Sequence, residues 1–399
     1  MKILMINVTC GSGSTGRICT DLAQELEKNG HEVKIAYGRD AVPEKLKKYA
    51  IRIGTDFDLY MHVLRARLFD SMGLGSTSAT RKFLKWVDEY DPDVIHLHNI
   101  HGYYINIKLL FEYIKKSNKK IIWTLHDCWS FTGHCAYFEY VNCKKWKIEC
   151  CKCKVKDQYP KRFFLEKSKK NYYLKKALFT DISDITLVTP SEWLAKLVKQ
   201  SFLKEYPVKV IHNGINLQIF TPTESDIKQR YHIEDKKIVL GVASVWDRRK
   251  GLDTFVELSE KISDSYQIVL VGLNNKQIKK LPDNIISINK TNSPQELAEL
   301  YSVADVFVNP TLEDNYPTTN LEAIACNTPV ITYDTGGSSE SAKIFGKVTE
   351  EKGVDFILKA IYEDNFDETE DKRIDYRDTV YEYIEIYKVV LLDINYNLN

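Results

Sequence analysis

The sequence predicts an α/β protein built from two Rossmann-like, doubly wound parallel-sheet domains facing a central cleft. Three observations carry this. The candidate strands are unbroken apolar runs rather than alternating ones, which marks strands buried on both faces. Amphipathic stretches with helical spacing separate them. The chain has 399 residues, too many for one ordinary core at roughly 150 per domain, and the strand–helix pattern restarts halfway along it.

In the first half, KILMINV reads as a strand, followed by a Gly-rich turn and the helix GRICTDLAQELEKNG. The strands HEVKIAYG, DVIHLHN and KIIWTLHD come next, the last two separated by the helix INIKLLFEYIKK. ITLVTPS and VKVIHNG are further strands around the helix EWLAKLVKQSF. Turn residues cluster in HNGINLQIFTPTESD, where the pattern restarts. KIVLGVAS, YQIVLVGL, NIISIN, VFVNPT and PVITYDT are then strands, with KGLDTFVELSEKI, SPQELAELYSVA and PTTNLEAIAC as the helices between them. The final stretch DTVYEYIEIYKVVLLDI has the spacing of an amphipathic helix. The expected boundaries are 1–207 and 208–376, with the last helix at 377–399 and a Cys-rich insert at about 128–158.

Hydrophobic residues make up 44% and charged residues 28%, values of a globular protein. The net charge of +1 gives no field that would point to nucleic acid. The N-terminus reads as a first strand rather than a signal peptide, and no apolar run is long enough to span a bilayer, so a cytoplasmic protein is expected. Residues 144–176 hold thirteen Lys or Arg against three acids, interleaved with aromatics. That is either a solvated helix face or a patch touching an anionic membrane. Six of the nine cysteines, Cys128, Cys135, Cys143, Cys150, Cys151 and Cys153, crowd into 26 residues. In a reducing compartment such a cluster suggests thiols or metal rather than disulfides.

The chemistry concentrates in NPTLEDNYPTTNLEAIACNTPVITYDTGG, Asn309 to Gly337. In a doubly wound sheet ligands bind at the carboxyl ends of strands. LEDNYPTT is such a loop, Pro317 suits the first turn of the next helix, and Glu322 falls one and a half turns inside it. Free N–H groups at the helix start and carboxylates beside them suit a hydroxyl-rich ligand. On local grounds alone, Asp314 is equally readable as a helix cap and Glu322 as a surface residue.

The spacing Asp314-x7-Glu322 resembles the E-x7-E motif of retaining GT-B glycosyltransferases of family 4, with Asp in the first place and Asn327 where a Gly is usual. The resemblance runs along nearly the whole chain. GSGSTG is similar to the family's N-terminal glycine loop, with Gly13 and Gly16 in place and Ser14 for the second paired glycine. DPDVIHLHN, TLHD and VIHNGIN match its strand ends. ASVWDRRKG is similar to its phosphate clamp, with Lys250 in the lysine position. Val245 stands where the arginine is usual, so Arg248 or Arg249 would supply that charge. YEYIEIYKVVL resembles the terminal helix that returns to the first domain.

The resemblance implies an acceptor-side N-terminal domain and a donor domain that holds a nucleotide-sugar, UDP- or GDP-linked. It implies retention of anomeric configuration by front-face attack, without a catalytic metal. Asp314 would contact the sugar, Glu322 the ribose, and Lys250 the diphosphate, with Asn315, Tyr316, Pro317, Thr318 and Thr319 shaping the donor loop. His126, at a strand's carboxyl end, is the best candidate near the reacting sugar. His98 and His101 are weaker candidates on the acceptor side. The TLHDCWSFTGHCAYF variant is similar to that of enzymes of bacterial capsule, exopolysaccharide or lipopolysaccharide synthesis, implying a glycan or lipid-diphosphate-linked acceptor at the inner face of the membrane. Cys135, Cys143, Cys150 and Cys153 have a C-x7-C-x6-C-x2-C spacing, and four thiolates satisfy a structural Zn²⁺. Free thiols in an ordered loop are the alternative. HLHNIH invites a metal too, but alternation puts only His96 and His98 on one strand face.

Two other classes stay open. GSGSTG also fits the G-x-G-x-x-G of a nicotinamide-dependent oxidoreductase, with Glu32 or Asp40 as the acid, but that reading leaves Asp314, Glu322 and Lys250 unexplained. Asp in the first acid position and the Val245 departure fit a catalytically silent binding protein.

Overall fold

The computed structural model describes residues 1–155, 158–369 and 375–396, with side chains described as far as Val389. The chain divides into two compact units: Met1–His212 together with the chain from Thr379 onward, and Asn213–Asp378.

Among the described residues the first unit holds a seven-stranded sheet of order β3-β2-β1-β4-β5-β6-β7. Its strands are β1 (Lys2–Ile6), β2 (Glu32–Tyr37), β3 (Ala50–Arg52), β4 (Val94–Leu97), β5 (Lys120–Thr124), β6 (Ile185–Thr189) and β7 (Val208–Val210). All pairings are parallel, and β1 lies between β2 and β4, with Ile3 opposite Val33 on one side and Val94 on the other. The helices are α1 (Gly13–Lys28), α2 (Asp56–Phe69), α3 (Thr77–Tyr90), α4 (Ile107–Ser117), α5 (Ser168–Phe179) and α6 (Glu192–Val198). Trp123 of β5, Phe111 of α4 and Phe179 of α5 form the aromatic centre of the core, with ring centroids 4.4–5.5 Å apart. The insert after β5 folds as short turns stacked on this centre. Buried Lys175 of α5 ties it down, donating to the carbonyls of Trp129 at 2.6 Å and Thr132 at 3.0 Å.

The second unit repeats the plan: β8 (Lys237–Val242), β9 (Tyr266–Val271), β10 (Ile285–Ile288), β11 (Val306–Asn309), β12 (Val330–Tyr333), β13 (Phe345–Thr349) and β14 (Asp367–Glu368). The order is β10-β9-β8-β11-β12-β13-β14, with only the last pair antiparallel among the described residues. The helices α7 (Ile227–Arg230), α8 (Leu252–Lys261), α9 (Asn275–Ile278), α10 (Pro294–Val303), α11 (Thr318–Ala325), α12 (Ser338–Ala342) and α13 (Val354–Glu363) surround it. The apolar runs are explained by two-sided burial: Ile238 and Leu240 of β8 enter one buried cluster, Val239 between them the opposite one. The last helix, α14 (Tyr376–Tyr396), begins in the second unit. Its later residues Tyr383 and Tyr387 hydrogen-bond Thr124 at 2.8 Å and His96 at 2.7 Å in the first.

The structure departs from the sequence reading in some elements. VKVIHNG is strand only to Val210. Pro317 precedes α11 as its N-cap instead of lying in its first turn. The sequence reading named none of α2, α3, α7, α9, α12, α13, β3, β13 and β14, although α3 and α13 are amphipathic. For α2 the cause is visible: apolar residues lie on both its inner and its outer face, so no amphipathic period emerges. Much of the basic segment 144–176 is turns and loop, with only its end in α5; residues 156 and 157 of it lie outside the described residues.

Candidate active site

In the second unit β8 is flanked by β9 on one side and β11 on the other, the point where strand order reverses and loops diverge to leave room for a ligand. The loops after β8 and β11 are stitched together there. Asp247 accepts a hydrogen bond from the Lys250 amide at 3.1 Å, closing a tight turn over Arg248–Lys250. Gly251 follows at φ +74°, and a Cβ on it would stand 2.3 Å from the Pro310 carbonyl. Only glycine permits that approach. The Leu312 amide then donates to the Arg249 carbonyl at 2.7 Å.

This stitching brings together residues 64 apart in sequence. Lys250 Nζ lies 2.5 Å from Asp314 Oδ2. Arg249 donates to the Glu313 carbonyl at 2.6 Å and lies 3.6 Å from the same Asp314 oxygen. Burial pushes the Asp314 carboxyl up, but the charges of Lys250 and Arg249 outweigh it and hold it below its ordinary value. Arg248 is exposed. Of the two arginines weighed from sequence, Arg249 is therefore the one placed beside Lys250.

Behind this pair, the Gly336–Gly337 turn after β12 holds the loop. Gly337 N–H donates to the Asp314 carbonyl at 3.0 Å, and Gly336, at φ +57°, leaves no room for a Cβ beside that oxygen. Asn315, Tyr316 and Pro317 are buried, while Thr318 and Thr319 are half-buried at the start of α11. Glu322 is not a surface residue: it is 3% exposed and accepts a hydrogen bond from Tyr301 of α10 at 3.1 Å. Sequence reasoning missed Tyr301 and Gly336. The Gly-Gly pair at a strand end was the available signal for the second; nothing local marks the first.

The first unit has its own reversal point, between β1 and β4. Gly13 opens α1 at φ +67° with open space where a Cβ would stand, while a Cβ on Gly16 would meet Thr9 Oγ1 at 2.5 Å. Gly13 thus leaves the start of α1 open, and Gly16 lets the turn close. Asn7 accepts from the Asn99 amide at 3.3 Å, joining the loops after β1 and β4. His98 Nδ1 and His126 Nε2 stand 3.0 Å apart, joining those after β4 and β5. Burial pushes His126 down to about 4 and His98 well below its ordinary value, so both are neutral at pH 7. His101 bonds Asp127 at 2.9 Å and the Tyr159 hydroxyl at 2.8 Å. The three histidines singled out from sequence are therefore neighbours. Asp127, the residue after His126 and the carboxylate partner of His101, was not singled out.

Cys135, Cys143, Cys150 and Cys153 line one cavity of about 210 Å³ together with His134. His134 Nδ1 is 2.5 Å from Asp70, and its buried Nε2 has no hydrogen-bond partner. These donors suit Zn²⁺ in kind and number. As placed, no three His, Cys, Asp or Glu side chains among the described residues close on an ion.

The family profile described as Glycosyltransferase Family 4 matches residues 15–219, and that described as Glycosyl transferases group 1 matches 223–344. The chain is 24% identical over 370 residues, 89% of its length and 88% of the relative's, to the putative colanic acid biosynthesis glycosyl transferase WcaC of Escherichia coli K12. Over 158 residues, 37% of this chain and 42% of the relative, it is 29% identical to N,N'-diacetylbacillosaminyl-diphospho-undecaprenol alpha-1,3-N-acetylgalactosaminyltransferase of Campylobacter jejuni. Among solved structures, sucrose-phosphate synthase from Thermosynechococcus elongatus superposes with a TM-score of 0.72 at 16% identity, covering 98% of this chain and 99% of that one. Anabaena HepE in complex with UDP gives 0.66 at 14% identity, covering 98% and 100%. These likenesses establish the fold as GT-B. With profile matches spanning both units, the chain belongs to glycosyltransferase family 4, the group 1 glycosyltransferases.

Proposed function

We propose that this protein is a retaining, metal-independent glycosyltransferase that moves a hexose-type sugar from a UDP- or GDP-sugar to a glycan or lipid-diphosphate-linked acceptor, in bacterial surface polysaccharide synthesis at the cytoplasmic face of the membrane. The observation that carries this is the Lys250–Asp314–Arg249 constellation at the strand-order reversal of the second unit. Cleaving a sugar–nucleotide bond leaves negative charge on a diphosphate. Fixed cations that need no rearrangement during the reaction stabilise it well. Lys250 and Arg249 supply those cations, and Arg249 replaces the arginine missing at Val245. Asp314 both holds the two cations and faces the transferred sugar. Glu322 takes the ribose, and Gly13 gives room for the donor diphosphate or the acceptor. His126, kept neutral, stands near the reacting sugar, with His98 and His101 on the acceptor side. The leaving phosphate takes the acceptor proton in a front-face attack.

Relatives favour this chemistry: one is a putative colanic acid biosynthesis glycosyl transferase, another acts on a diphospho-undecaprenol-linked sugar, and HepE forms a complex with UDP. Zinc in the cysteine cavity would have a structural role, and no step of the transfer is assigned to it. Elemental analysis of purified protein should find about one zinc per chain, a stoichiometry set by four thiolates around one ion.

The deciding experiment is a thermal-shift screen against UDP-, GDP- and ADP-sugars, with NAD and NADP alongside. A ligand at 100 times its dissociation constant adds about 2.7 kcal/mol, a clear rise in Tm. A shift with one sugar nucleotide is expected and names the donor. A shift with NAD alone would overturn the reading.

A further inference from the structure

The most unusual surface of the first unit is on α2. Phe57, Tyr60, Met61 and Leu64 are 72%, 70%, 49% and 49% exposed. Their i, i+3, i+4, i+7 spacing makes one continuous outward stripe. The inward face is already satisfied: Ala66 enters the core, and buried His62 accepts from the amides of Gly73 and Gly75. The loop after the cysteine insert extends the stripe. Phe163 N–H donates to the Arg67 carbonyl at 2.8 Å and Leu165 N–H to that of Leu68 at 3.4 Å, so the loop lies along the last turn of α2. There Phe163 and Phe164 are 57% and 73% exposed. Isolated exposed apolar residues are ordinary, but a contiguous band marks a binding surface.

The charge around the band selects its occupant. Arg67 lies 5.8 Å over the Phe163 ring and has a buried Nε without a hydrogen-bond partner, and Lys167 lies 5.6 Å over the Phe69 ring. Arg65, Lys161 and Lys170 are exposed beside them. The nearby acids are engaged: Asp56 by Arg52, Asp58 by the Thr55 cap, and Glu166 by the amides of Cys153 and Ser168.

We infer that α2 and the Phe163–Leu165 loop form a docking surface for an anionic phospholipid bilayer, with the apolar band at the headgroup–acyl boundary and the arginines and lysines on the lipid phosphates. The inference rests on exposure and charge, and it deepens the reading of a lipid-linked acceptor without requiring it. The surface also connects with the acceptor-side histidines. The Tyr103 ring lies 5.9 Å from His62 of α2 and 6.4 Å from Tyr159, whose hydroxyl bonds His101. A docked protein would hold those histidines next to the membrane that carries such an acceptor.

The test is cosedimentation of the full chain with phosphatidylcholine vesicles, with and without phosphatidylglycerol, alongside sugar-nucleotide binding measured on the same preparations. Wild type should sediment with the anionic vesicles, and added salt should weaken the association. Phe57→Ser/Leu64→Ser and Phe163→Ser/Phe164→Ser should each lose it. Lys161→Glu/Lys167→Glu should weaken it by roughly fivefold or more per charge removed. All three variants should keep the wild-type Tm and sugar-nucleotide affinity. The inference is overturned if wild type ignores anionic vesicles, if the variants bind them equally well, or if light scattering finds a dimer that the Phe57→Ser/Leu64→Ser variant dissolves. Loss of sugar-nucleotide binding in wild type would instead count against the transferase reading and leave this one standing.

Discussion

Lys250 and Asp314 are the residue pair on which the proposed chemistry turns. Asp314 holds the lysine and Arg249 in place, so cationic charge is oriented where the proposal puts the diphosphate. Replacing Lys250 by Ala should slow transfer by roughly 10²-fold or more if it stabilises leaving-group charge. Near-normal turnover in a single-donor assay would remove it from that role. The neutral histidines make a second residue-scale prediction. In the folded protein burial pushes His126 down to about 4 and His98 well below the ordinary 6.5. Between about pH 6.5 and 4 the unfolded chain then binds protons that the folded chain does not. Their contribution to stability is whole above that window and falls as pH drops through it. The Tm should therefore fall between about pH 7 and 5, and His98→Asn should flatten part of that slope. A variant with an unchanged slope would show that other groups dominate.

At the scale of elements, the site depends on loops held by backbone contacts. Gly336→Ala would force a side chain into the Asp314 carbonyl from a left-handed backbone position. The strain, roughly 1–3 kcal/mol, should displace the donor loop and weaken donor binding about tenfold or more. Calorimetric titration of the variant with the donor found in the screen checks this, and unchanged affinity would show the loop to be held elsewhere. The helix α14 offers a complementary case. Tyr387→Phe would leave His96 Nδ1 buried without its partner, at about 1–3 kcal/mol. Chemical denaturation should find that loss of stability, while donor affinity stays at the wild-type value. The central strands of the two sheets were legible because buried parallel strands are continuous apolar runs. The short or doubly apolar elements α2, α12 and β14 were not, because their form comes from packing rather than from a period.

At the scale of the molecule, each unit has its own parallel sheet and its own buried clusters. Apart from Gly13 and Gly16, the residues proposed to hold the donor lie in Asn213–Asp378. Scanning calorimetry with a saturating donor should raise the unfolding transition of that unit, by about 2.7 kcal/mol at 100 times the dissociation constant. A rise confined to the other transition would place the donor in the first unit. The sequence by itself determined the fold class and the two-unit plan, which follow from local features: apolar runs and turn residues. Its resemblance to a known family singled out Asp314, Glu322, Lys250 and the strand-end histidines as candidates. Tertiary structure alone decided that Arg249 rather than Arg248 stands by Lys250, that Glu322 is buried under Tyr301, and that an apolar face of α2 is left exposed. Each of these depends on residues far apart in the chain meeting, or failing to meet, and no local pattern encodes that.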